Sequence, residues 1–317
     1  MNNNQKLKRE QTFESADKAT TVHSTVWEPA GEAIAVLVIS HGIGEHIGRY
    51  ERLANFLNDR GIIVAGIDDI GHGRSSSNFN LPMYFGEKGS WRYVVKDFIN
   101  FTNAMSSRYA LPCFVMGFSM GSFVVRTALL EDTMFKISGA ILAGTGSISP
   151  LLSRLIQKLV DSEAKKVGED YIVSQKVNDL AFGNYNRYFK PFKTDYDWLC
   201  SSESGLRDYM SDSLVNRFIT PGMFRELLAG MAYTSKTSTI KKSRKVPMIF
   251  LSGKDDPVGN FGKTVKKVAN KYNVAGADTE VVLYDRCRHD IWHDNCKIFA
   301  QRDLYDWMTK HINFEKN

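Results

Sequence analysis

Short apolar stretches alternate with longer amphipathic stretches over most of the chain. The apolar stretches are rich in Val, Ile and Leu, which is typical of buried parallel strands, and they cover Ile34–Ser40, Ile62–Asp68, Cys113–Gly117, Gly139–Ala143, Val246–Ser252 and Val281–Tyr284. The amphipathic stretches predict helices, and they cover Tyr50–Asp59, Trp91–Arg108, Ser119–Glu131, Lys263–Tyr272 and Cys296–His311. Strands that alternate with helices indicate an α/β fold, in which a mostly parallel central sheet is flanked by helices.

In the middle of the chain the alternation stops, and no stretch predicts a buried strand. This segment mixes charged, aromatic and Met residues, and its aromatic residues crowd one part of it: Phe182, Tyr185, Tyr188, Phe189, Phe192, Tyr196 and Trp198. The strand pattern then resumes at Val246. We therefore expect a helical cap, or lid, of residues 147–239 that is inserted into an α/β core of residues 1–146 and 240–317.

The composition is that of an ordinary globular protein. Hydrophobic residues make up 43% and charged residues 24% of the 317 positions, which argues against a disordered or coiled-coil chain. The longest apolar run, Ala33–Ile39, is far shorter than the ~20 residues that span a bilayer. Because the first residues are polar and lack the apolar stretch of a secretory signal, we expect a cytoplasmic protein.

Cysteine content and charge limit the cofactors and partners. Cys113, Cys200, Cys287 and Cys296 form neither a C-x-x-C pair nor a Cys/His pattern at zinc spacing. We expect buried reduced thiols and no bound metal. The net charge is +6, but the basic residues are scattered apart from one dense run at 241–245. Scattered charge favours a solvated surface over a nucleic-acid site, and it leaves weak contact with a membrane surface open.

One motif predicts a catalytic serine. Gly117-Phe118-Ser119-Met120-Gly121 is a G-x-S-x-G motif that stands between a predicted strand and a predicted helix. In enzymes with this motif the serine lies in a sharp turn that exposes its hydroxyl, and the glycines leave room for neighbouring backbone. A serine hydroxyl is a poor nucleophile at neutral pH, so it needs a histidine base and a carboxylate that orients the histidine.

The candidate base and acid follow Ser119 in the order that this fold uses, with the acid before the histidine. Asp255 and Asp256 come directly after a predicted strand, and His289 lies in the loop after the next one. Singly, an Asp-Asp-Pro stretch is typical of a turn, and a lone histidine is typical of a surface. Together they predict the rest of a triad, with His293, within or beside the last helix, as the rival base.

The reaction also needs backbone N–H groups that stabilise a negatively charged oxygen. The glycine-rich stretch from Ser40 to Gly44 follows a predicted buried strand, where this architecture supplies one such donor. The residue after the nucleophile, Met120, supplies the other. The stretch is at the same time an ordinary turn that leaves a strand, and the two interpretations are compatible.

Several further stretches resemble the α/β-hydrolases, and among them the monoacylglycerol lipase and lysophospholipase group, whose family pattern is shared with serine aminopeptidases. These stretches are H-G-I-G-E-H-I-G-R-Y at 41–50, D-D-I-G-H-G-R-S at 68–75, G-K-D-D-P-V at 253–258 and R-H at 288–289. The resemblance extends from about Ser24 to Met308. It implies the α/β-hydrolase fold with an inserted lid.

The resemblance also implies roles for single residues. It implies a catalytic triad of Ser119, His289 and Asp256, and thereby prefers Asp256 to the aspartate before it. It implies that the backbone N–H groups of Ile43 and Met120 form the oxyanion hole. The whole set would carry out acyl transfer without a cofactor.

Two further assignments rest on the resemblance. In lipases of this group a Glu and an Arg lie near the polar end of a glycerol-like substrate. Their counterparts here are Glu45 and Arg49. The alternative for this pair is a structural ion pair. A turn that is widespread in these hydrolases has a scaffold role, because its histidine has no required step in the mechanism. Its residues here are Asp69, Gly71, His72, Gly73 and Ser75.

The resemblance implies a serine hydrolase that cleaves carboxylic esters of monoacyl lipids, monoacylglycerols or lysophospholipids, through an acyl-enzyme intermediate. The expected partner is therefore a small-molecule ester or lipid, and the oligomeric state stays open. An aminopeptidase or amidase with the same triad is one alternative, and it would bind a free amine with lid carboxylates such as Glu163, Glu169, Asp170 and Glu203. A non-catalytic binding protein of the same fold is the other.

Overall fold

The computed structural model describes residues 5–76, 82–134 and 136–312, and these form an eight-stranded sheet. The strands are β1 (Leu7–Glu14), β2 (Thr21–Glu28), β3 (Ala35–Ser40), β4 (Ile62–Ile67), β5 (Cys113–Phe118), β6 (Gly139–Ala143), β7 (Met248–Gly253) and β8 (Thr279–Tyr284). They lie in the order β1, β2, β4, β3, β5, β6, β7, β8. Neighbours from β4 to β8 in this order are parallel, whereas β1 pairs with β2, and β2 with β4, in antiparallel fashion.

Helices cover both faces of the sheet. They are α1 (Glu51–Asn58), α2 (Trp91–Tyr109), α3 (Met120–Ala128), α4 (Pro150–Val167), α5 (Gln175–Asn178), α6 (Glu203–Ser211), α7 (Pro221–Ser235), α8 (Thr237–Lys242), α9 (Lys263–Val274) and α10 (Lys297–Ile312). Along β3, Val36 and Val38 join the apolar core that includes α2, α3 and α9, while Leu37 and Ile39 join the core that includes α1 and α10. Because successive side chains of a strand point to opposite faces of the sheet, both faces are covered by helices. The fold therefore has three layers, with the sheet between two layers of helices. None of the helices in the described ranges is long and apolar enough to cross a bilayer.

The segment between β6 and β7 is helical and contains α4 to α8. α4 packs along α7, where the Ser153 hydroxyl donates to the Leu228 carbonyl at 2.9 Å. α7 packs in turn on α3, where the buried Arg126 donates to the Thr234 carbonyl at 2.7 Å. The helical character of the segment agrees with the sequence pattern, and the division into a core and a lid of residues 147–239 stays a prediction.

The predicted α/β-hydrolase architecture is confirmed, and the predicted strands and helices lie close to the observed ones. Two strands at the start of the chain, β1 and β2, were not predicted. Residues of β1 are exposed except for the half-buried Phe13, so this edge strand has no alternation of apolar and polar positions to detect. β2 is buried, but polar residues such as Ser24 and Thr25 occupy its centre, and they hide the pattern of a buried strand.

The expectation of four reduced cysteines is wrong for two of them. Cys287 and Cys296 form a disulfide, with their Cα atoms 6.2 Å apart, while Cys113 and Cys200 are free and buried. The disulfide closes the loop that follows β8. Two cysteines at a sequence separation of 9 match no metal or redox motif, and only the fold of the loop between them brings their side chains together.

Candidate active site

Ser119 occupies a strained turn between β5 and α3. Its backbone has φ 51° and ψ −114°, a conformation that is costly for a residue with a side chain, and its N–H donates to the Ala143 carbonyl at 2.9 Å. Gly117 and Gly121 flank the turn. A Cβ atom on Gly117 would collide with the backbone of Gly121, and one on Gly121 would collide with the carbonyl of Ser40. The motif therefore needs glycine on both sides of the serine.

The structure brings Ser119, His289 and Asp256 together at the carboxyl ends of the strands. The distance from His289 Nε2 to Ser119 Oγ is 2.9 Å, and the distance from His289 Nδ1 to Asp256 Oδ1 is 3.0 Å. Asp256 is fully buried and also accepts hydrogen bonds from the Ser252 hydroxyl (3.1 Å) and the Val258 N–H (2.8 Å). A carboxylate held in this way keeps the proton on Nδ1, so that Nε2 can accept the proton of the serine.

The neighbouring residues compete poorly for these positions. Asp255 donates its N–H to the Cys287 carbonyl at 3.0 Å, and its side chain is half-buried. His293, the rival base, lies in the turn before α10. Its Nδ1 is 2.8 Å from Asp290 Oδ2, and its Nε2 is 3.0 Å from the Arg49 carbonyl. Both ring nitrogens of His293 are therefore engaged by groups other than Ser119, and the carboxylate that contacts His289 is that of Asp256.

Aromatic side chains hold the His289 ring in place. The ring centroid of His289 is 5.0 Å from that of Phe118 and 5.4 Å from that of Trp198. The residue after it, Asp290, donates its N–H to the Leu199 carbonyl at 2.7 Å. The loop that carries the histidine is thus tied to the helical segment between β6 and β7.

The N–H groups of Ile43 and Met120 are the predicted oxyanion donors. Met120 begins α3, and the N–H groups in the first turn of a helix have no partner within the helix. The loop that carries Ile43 is held against α3, because the Gly121 N–H donates to the His41 carbonyl at 3.0 Å. Neither Ile43 nor Met120 donates its N–H to a group in the described ranges, so both N–H groups are available to a substrate oxygen.

Glu45 and Arg49 form a buried ion pair at 2.9 Å. Glu45 Oε1 accepts from the Gly42 N–H and from the Tyr50 hydroxyl, each at 2.7 Å, and Glu45 Oε2 accepts from Arg49 Nε. The Arg49 guanidinium also donates to Asp290 Oδ2 at 2.9 Å. This network joins the loop after β3 to the loop that carries the histidine. Glu45 lines the pocket described below, whereas Arg49 does not, and their contact with substrate stays a prediction.

The charges in this network stabilise one another. Burial opposes the charge of Arg49, but Asp290 and Glu45 outweigh it and hold the pKa of the guanidinium above its usual range. Burial likewise opposes ionisation of Asp290, but His293 and Arg49 outweigh it and hold the pKa of that carboxyl well below its usual range. Asp290 is therefore an anion that anchors the loop.

A pocket of about 670 Å³ opens at Ser119 and His289, within the range of small-molecule sites. Aromatic side chains form much of its wall: Phe118, Phe182, Phe192, Tyr196, Trp198, Tyr209 and Phe218. Among its charged residues are Asp179 and Asp195. The four carboxylates named as candidate amine ligands are not part of the wall. Three of them bind protein groups instead: Glu163 binds Ser174, Asp170 binds Arg225 and Glu203 binds Lys193.

The predicted scaffold turn after β4 is buried. The Ser75 hydroxyl donates to the Asp68 carbonyl at 2.7 Å and accepts from the His23 N–H at 2.9 Å, which ties the turn to β2. Burial raises the pKa of Asp69 to about 7 and lowers the pKa of His72 to about 3. The pocket is lined by none of its predicted scaffold residues, Asp69, Gly71, His72, Gly73 and Ser75, which favours the structural role.

Sequence reasoning missed some residues of the site. Trp198 covers the histidine, Asp290 anchors its loop, and Ser252 supports the acid. Asp290 directly follows the predicted base, and Trp198 is the last residue of the aromatic cluster. Their positions in the sequence are therefore noticeable, but neither belongs to a motif that would predict its role. Within residues 5–76, 82–134 and 136–312, no cluster of His, Cys, Asp and Glu could hold a metal ion.

Comparisons with known proteins agree with this architecture. Residues 31–295 match the family described as serine aminopeptidase, S33. A monoglyceride lipase homologue of monkeypox virus is 23% identical over 295 residues, which are 92% of this chain and 95% of the viral protein. The monoglyceride lipase of Rattus norvegicus is 34% identical over 131 residues, and this match spans only 39% of this chain and 41% of the rat protein.

Solved structures share the fold along nearly the whole chain. A thermostable carboxyl esterase from Bacillus coagulans has a TM-score of 0.87 at 23% identity, over 96% of this chain and 99% of the esterase. A monoglyceride lipase variant from Saccharomyces cerevisiae has a TM-score of 0.74 at 19% identity, over 96% of this chain and 94% of the lipase. The family match covers most of the chain, and these structures show the same fold, so the chain belongs to the serine aminopeptidase S33 family of α/β-hydrolases.

Proposed function

We propose that this carboxylic ester hydrolase cleaves monoacyl lipids, either monoacylglycerols or lysophospholipids, through an acyl-enzyme intermediate. The observation that carries the proposal is the continuous chain of hydrogen bonds from Ser119 through His289 to Asp256, in which Ser119 and His289 line a pocket. A hydroxyl, a base and an oriented acid in this geometry are what nucleophilic acyl transfer requires.

The reaction follows from the positions of these groups. Ser119 Oγ attacks the ester carbonyl carbon while its proton passes to His289 Nε2, and Asp256 stabilises the imidazolium. The N–H groups of Ile43 and Met120 bind the oxygen on which negative charge develops. His289 then donates the proton to the leaving alcohol as the C–O bond breaks. Water attacks the acyl-enzyme by the same steps, and a fatty acid leaves.

The pocket wall supports an acyl chain as the bound part of the substrate. Phe182, Trp198 and Phe218 line the pocket that begins at the nucleophile, and each methylene buried against such a surface contributes ~0.8 kcal/mol. The names of similar proteins also support a monoacyl lipid as the substrate. The monkeypox virus and rat proteins are named for monoglyceride lipase, and the yeast lipase was solved in complex with a substrate analogue.

Labelling and turnover together test the proposal. The wild-type protein should gain one fluorophosphonate adduct by intact mass and should hydrolyse p-nitrophenyl esters and a monoacylglycerol. Ser119→Ala should gain no adduct, and turnover by Ser119→Ala or His289→Ala should fall by ~10⁴ or more. Absence of both the adduct and turnover in the wild-type protein would favour a non-catalytic binding protein and end the proposal.

An aminopeptidase or amidase is the second candidate, because two carboxylates of the helical segment, Asp179 and Asp195, line the pocket. An amine-binding site needs anionic groups near the nucleophile. Aminoacyl-anilides in the same substrate panel separate the two activities. Hydrolysis of the anilides with no hydrolysis of the esters would overturn the lipid assignment.

We also propose weak contact with a lipid surface, made by α4. Its exposed leucines, Leu151, Leu152, Leu155 and Leu159, which we call the α4 leucine stripe, have exposed fractions of 70, 49, 53 and 61%. Two exposed basic residues of the same helix, Arg154 and Lys158, lie between these leucines in the sequence. An amphipathic helix with apolar and basic residues at the surface suits the interface of a membrane.

Vesicle sedimentation tests this contact. The double variant Leu151→Ser and Leu155→Ser should bind phosphatidylcholine vesicles with added phosphatidylglycerol more weakly than the wild-type protein does. Val274→Ser, which changes an equally exposed apolar residue on α9 (75% exposed), should bind as the wild-type protein does. Equal binding by the stripe variant and the wild-type protein would end the membrane proposal without affecting the triad.

A further inference from the structure

A buried histidine that the mechanism does not use is the first residue of the loop after β3, residues 41–45, which we call the oxyanion loop. His41 is fully buried. Its Nδ1 is 2.7 Å from the Gly42 carbonyl oxygen, and its Nε2 is 3.0 Å from the backbone N–H of Asp69. The imidazole therefore bridges the turn after β4 and the loop after β3.

The two contacts fix the position of the proton on the ring. The Asp69 N–H can only donate a hydrogen bond, so Nε2 of His41 must be the acceptor and carries no proton. The Gly42 carbonyl can only accept, so Nδ1 carries the proton and donates it. His41 is thus a neutral imidazole with a single tautomer.

The Gly42 carbonyl and the Ile43 N–H belong to the same peptide group. This group is planar, and in a trans peptide the C=O and N–H bonds point in opposite directions. A hydrogen bond that fixes the direction of the Gly42 carbonyl therefore also fixes the direction of the Ile43 N–H. That N–H is the donor which, under the proposed function, binds the oxygen of the tetrahedral intermediate.

Other hydrogen bonds of the loop hold different groups. The Gly42 N–H donates to Glu45 Oε1 at 2.7 Å, and the Gly44 carbonyl accepts from the Asn216 N–H at 2.8 Å. The His41 carbonyl accepts from the Gly121 N–H at 3.0 Å. Among these contacts, only the one from the His41 side chain is a hydrogen bond to the peptide group between Gly42 and Ile43.

We propose that His41 is a positioning residue that aims the Ile43 N–H at the oxyanion. This inference rests on the proposed acyl transfer at Ser119. His41 is not part of the pocket wall, so it acts through the peptide group and does not touch the substrate. Oxyanion donors work because they are oriented before the reaction and need no rearrangement during it. A loop that lost this bond would still bind substrate but would stabilise the transition state less.

Three substitutions separate the two contacts of the imidazole. The amide nitrogen of His41→Asn lies near the position of Nδ1 and can donate to the Gly42 carbonyl. The amide oxygen of His41→Gln lies near the position of Nε2 and can accept from the Asp69 N–H. His41→Leu can do neither. His72→Asn is the matched control, because His72 is equally buried, its ring centroid is 5.0 Å from that of His41, and its Nδ1 contacts the Ile70 carbonyl instead.

The experiment measures kcat and KM for a p-nitrophenyl ester and the affinity for butylboronic acid, whose tetrahedral adduct with Ser119 engages the oxyanion donors. His41→Leu and His41→Gln should lower kcat by roughly 10²-fold, the usual cost of losing one oxyanion donor, and weaken boronate binding with KM little changed. His41→Asn should keep kcat within about tenfold of the wild-type value, and His72→Asn within about threefold. Urea unfolding shows that each variant is folded, and fluorophosphonate labelling run to completion shows that Ser119 can still react.

The outcomes distinguish the two proposals. If the wild-type protein hydrolyses esters but His41→Gln retains kcat while His41→Asn loses it, the contact with Asp69 matters and the positioning role is overturned. Equal losses in all three variants, with parallel losses in KM or stability, overturn it as well, because a merely structural residue gives that result. If the wild-type protein neither reacts with fluorophosphonate nor hydrolyses esters, the proposed function itself has failed.

Discussion

Asp255 and Asp256 are chemically identical neighbours with different surroundings. Asp256 is fully buried, and its two oxygens accept from the Ser252 hydroxyl and the Val258 N–H and contact His289. The side chain of Asp255 is half-buried, and the contact of this residue with the histidine loop is made by its backbone N–H. Sequence alone puts both residues after a strand and leaves the choice between them to family resemblance.

The difference between the two aspartates gives a sharp prediction. Asp256→Asn should lower kcat by ~10⁴, because an amide no longer holds the His289 tautomer and no longer stabilises the imidazolium. Asp255→Asn is the matched control and should change kcat by no more than roughly threefold. Steady-state ester hydrolysis at neutral pH measures both, and an Asp256→Asn enzyme within tenfold of the wild-type rate would remove Asp256 from the triad.

Asp69 gives a prediction about pH. Burial raises the pKa of Asp69 to about 7, whereas an unfolded chain ionises this group near ~3.9. Between these two values the folded protein holds one proton more than the unfolded chain, so the contribution of Asp69 to stability falls as pH rises. His72 acts in the opposite direction below its ordinary pKa, because burial lowers its pKa to about 3. The pH profile of the wild-type protein therefore mixes both effects, and only a difference between variants isolates Asp69.

Asp69→Asn removes the ionisable carboxyl group and keeps a side chain of nearly the same shape. Its free energy of unfolding should rise relative to the wild-type value by roughly 2–3 kcal/mol from pH 5 to pH 8, at ~1.4 kcal/mol per pKa unit. Asp132→Asn, at an exposed position, should show no such trend. Urea unfolding at the two pH values measures the difference, and a difference that is the same at both would mean that Asp69 ionises normally in the folded protein.

At the scale of elements, the turn from β5 into α3 depends on close contact between backbones. Gly121 lies in the first turn of α3, directly against the carbonyl of Ser40 at the end of β3. Gly121→Ala should push α3 away from β3, move the Met120 N–H and cost about 1–3 kcal/mol or more in stability. Because Met120 is a proposed oxyanion donor, kcat should fall with it.

Gly31 offers a matched control for that substitution. A Cβ atom built at Gly31 meets no atom within 4 Å, so Gly31→Ala should stay within ~0.5 kcal/mol of the wild-type stability and keep full activity. Urea unfolding and kcat are measured on both variants. If Gly121→Ala and Gly31→Ala had similar stabilities, α3 could move away from β3 at little cost in free energy. Packing would then not require glycine at position 121.

The elements differ in how well the sequence predicts them. The parallel strands β3 to β7 are buried on both faces, so continuous apolar runs identify them. β1 exposes nearly every side chain and is held by backbone pairing with β2, which leaves no trace in composition. The disulfide between Cys287 and Cys296 depends on the path of the loop between them, and its spacing alone carries no information.

The pocket exists only at the scale of the whole molecule, since residues of distant segments line it together. The meeting of Ser119, Asp256 and His289 could be predicted because parallel strands end at one edge of the sheet, so that motifs at strand ends lie close together. The bond between Arg49 and Asp290, which are 241 positions apart, follows no such rule. It requires the three-dimensional packing of two loops, and neither residue by itself indicates its partner.

The pocket wall combines residues of the helical segment with residues of the core, so under the proposed function both would contact an acyl chain. Phe182 lines the pocket, and its ring stacks on Trp198 at 6.0 Å, which in turn covers His289. Phe182→Ala should therefore remove contact with the distant part of an acyl chain and leave the triad intact. Loss of contact with two methylenes, at ~0.8 kcal/mol each, corresponds to roughly tenfold or more in kcat/KM. A dodecanoate p-nitrophenyl ester should show this loss, and an acetate ester should not.

The control for this substitution changes an aromatic residue far from the pocket wall. Phe299 on α10 is 61% exposed and does not line the pocket, so Phe299→Ala should leave both esters unaffected. If Phe182→Ala lowers kcat/KM equally for the acetate and dodecanoate esters, the ring acts on the catalytic groups through Trp198 rather than on the acyl chain. A measured preference for the dodecanoate ester would then have to be assigned to other residues of the wall, because only a contact made by the distant methylenes can distinguish a long ester from a short one.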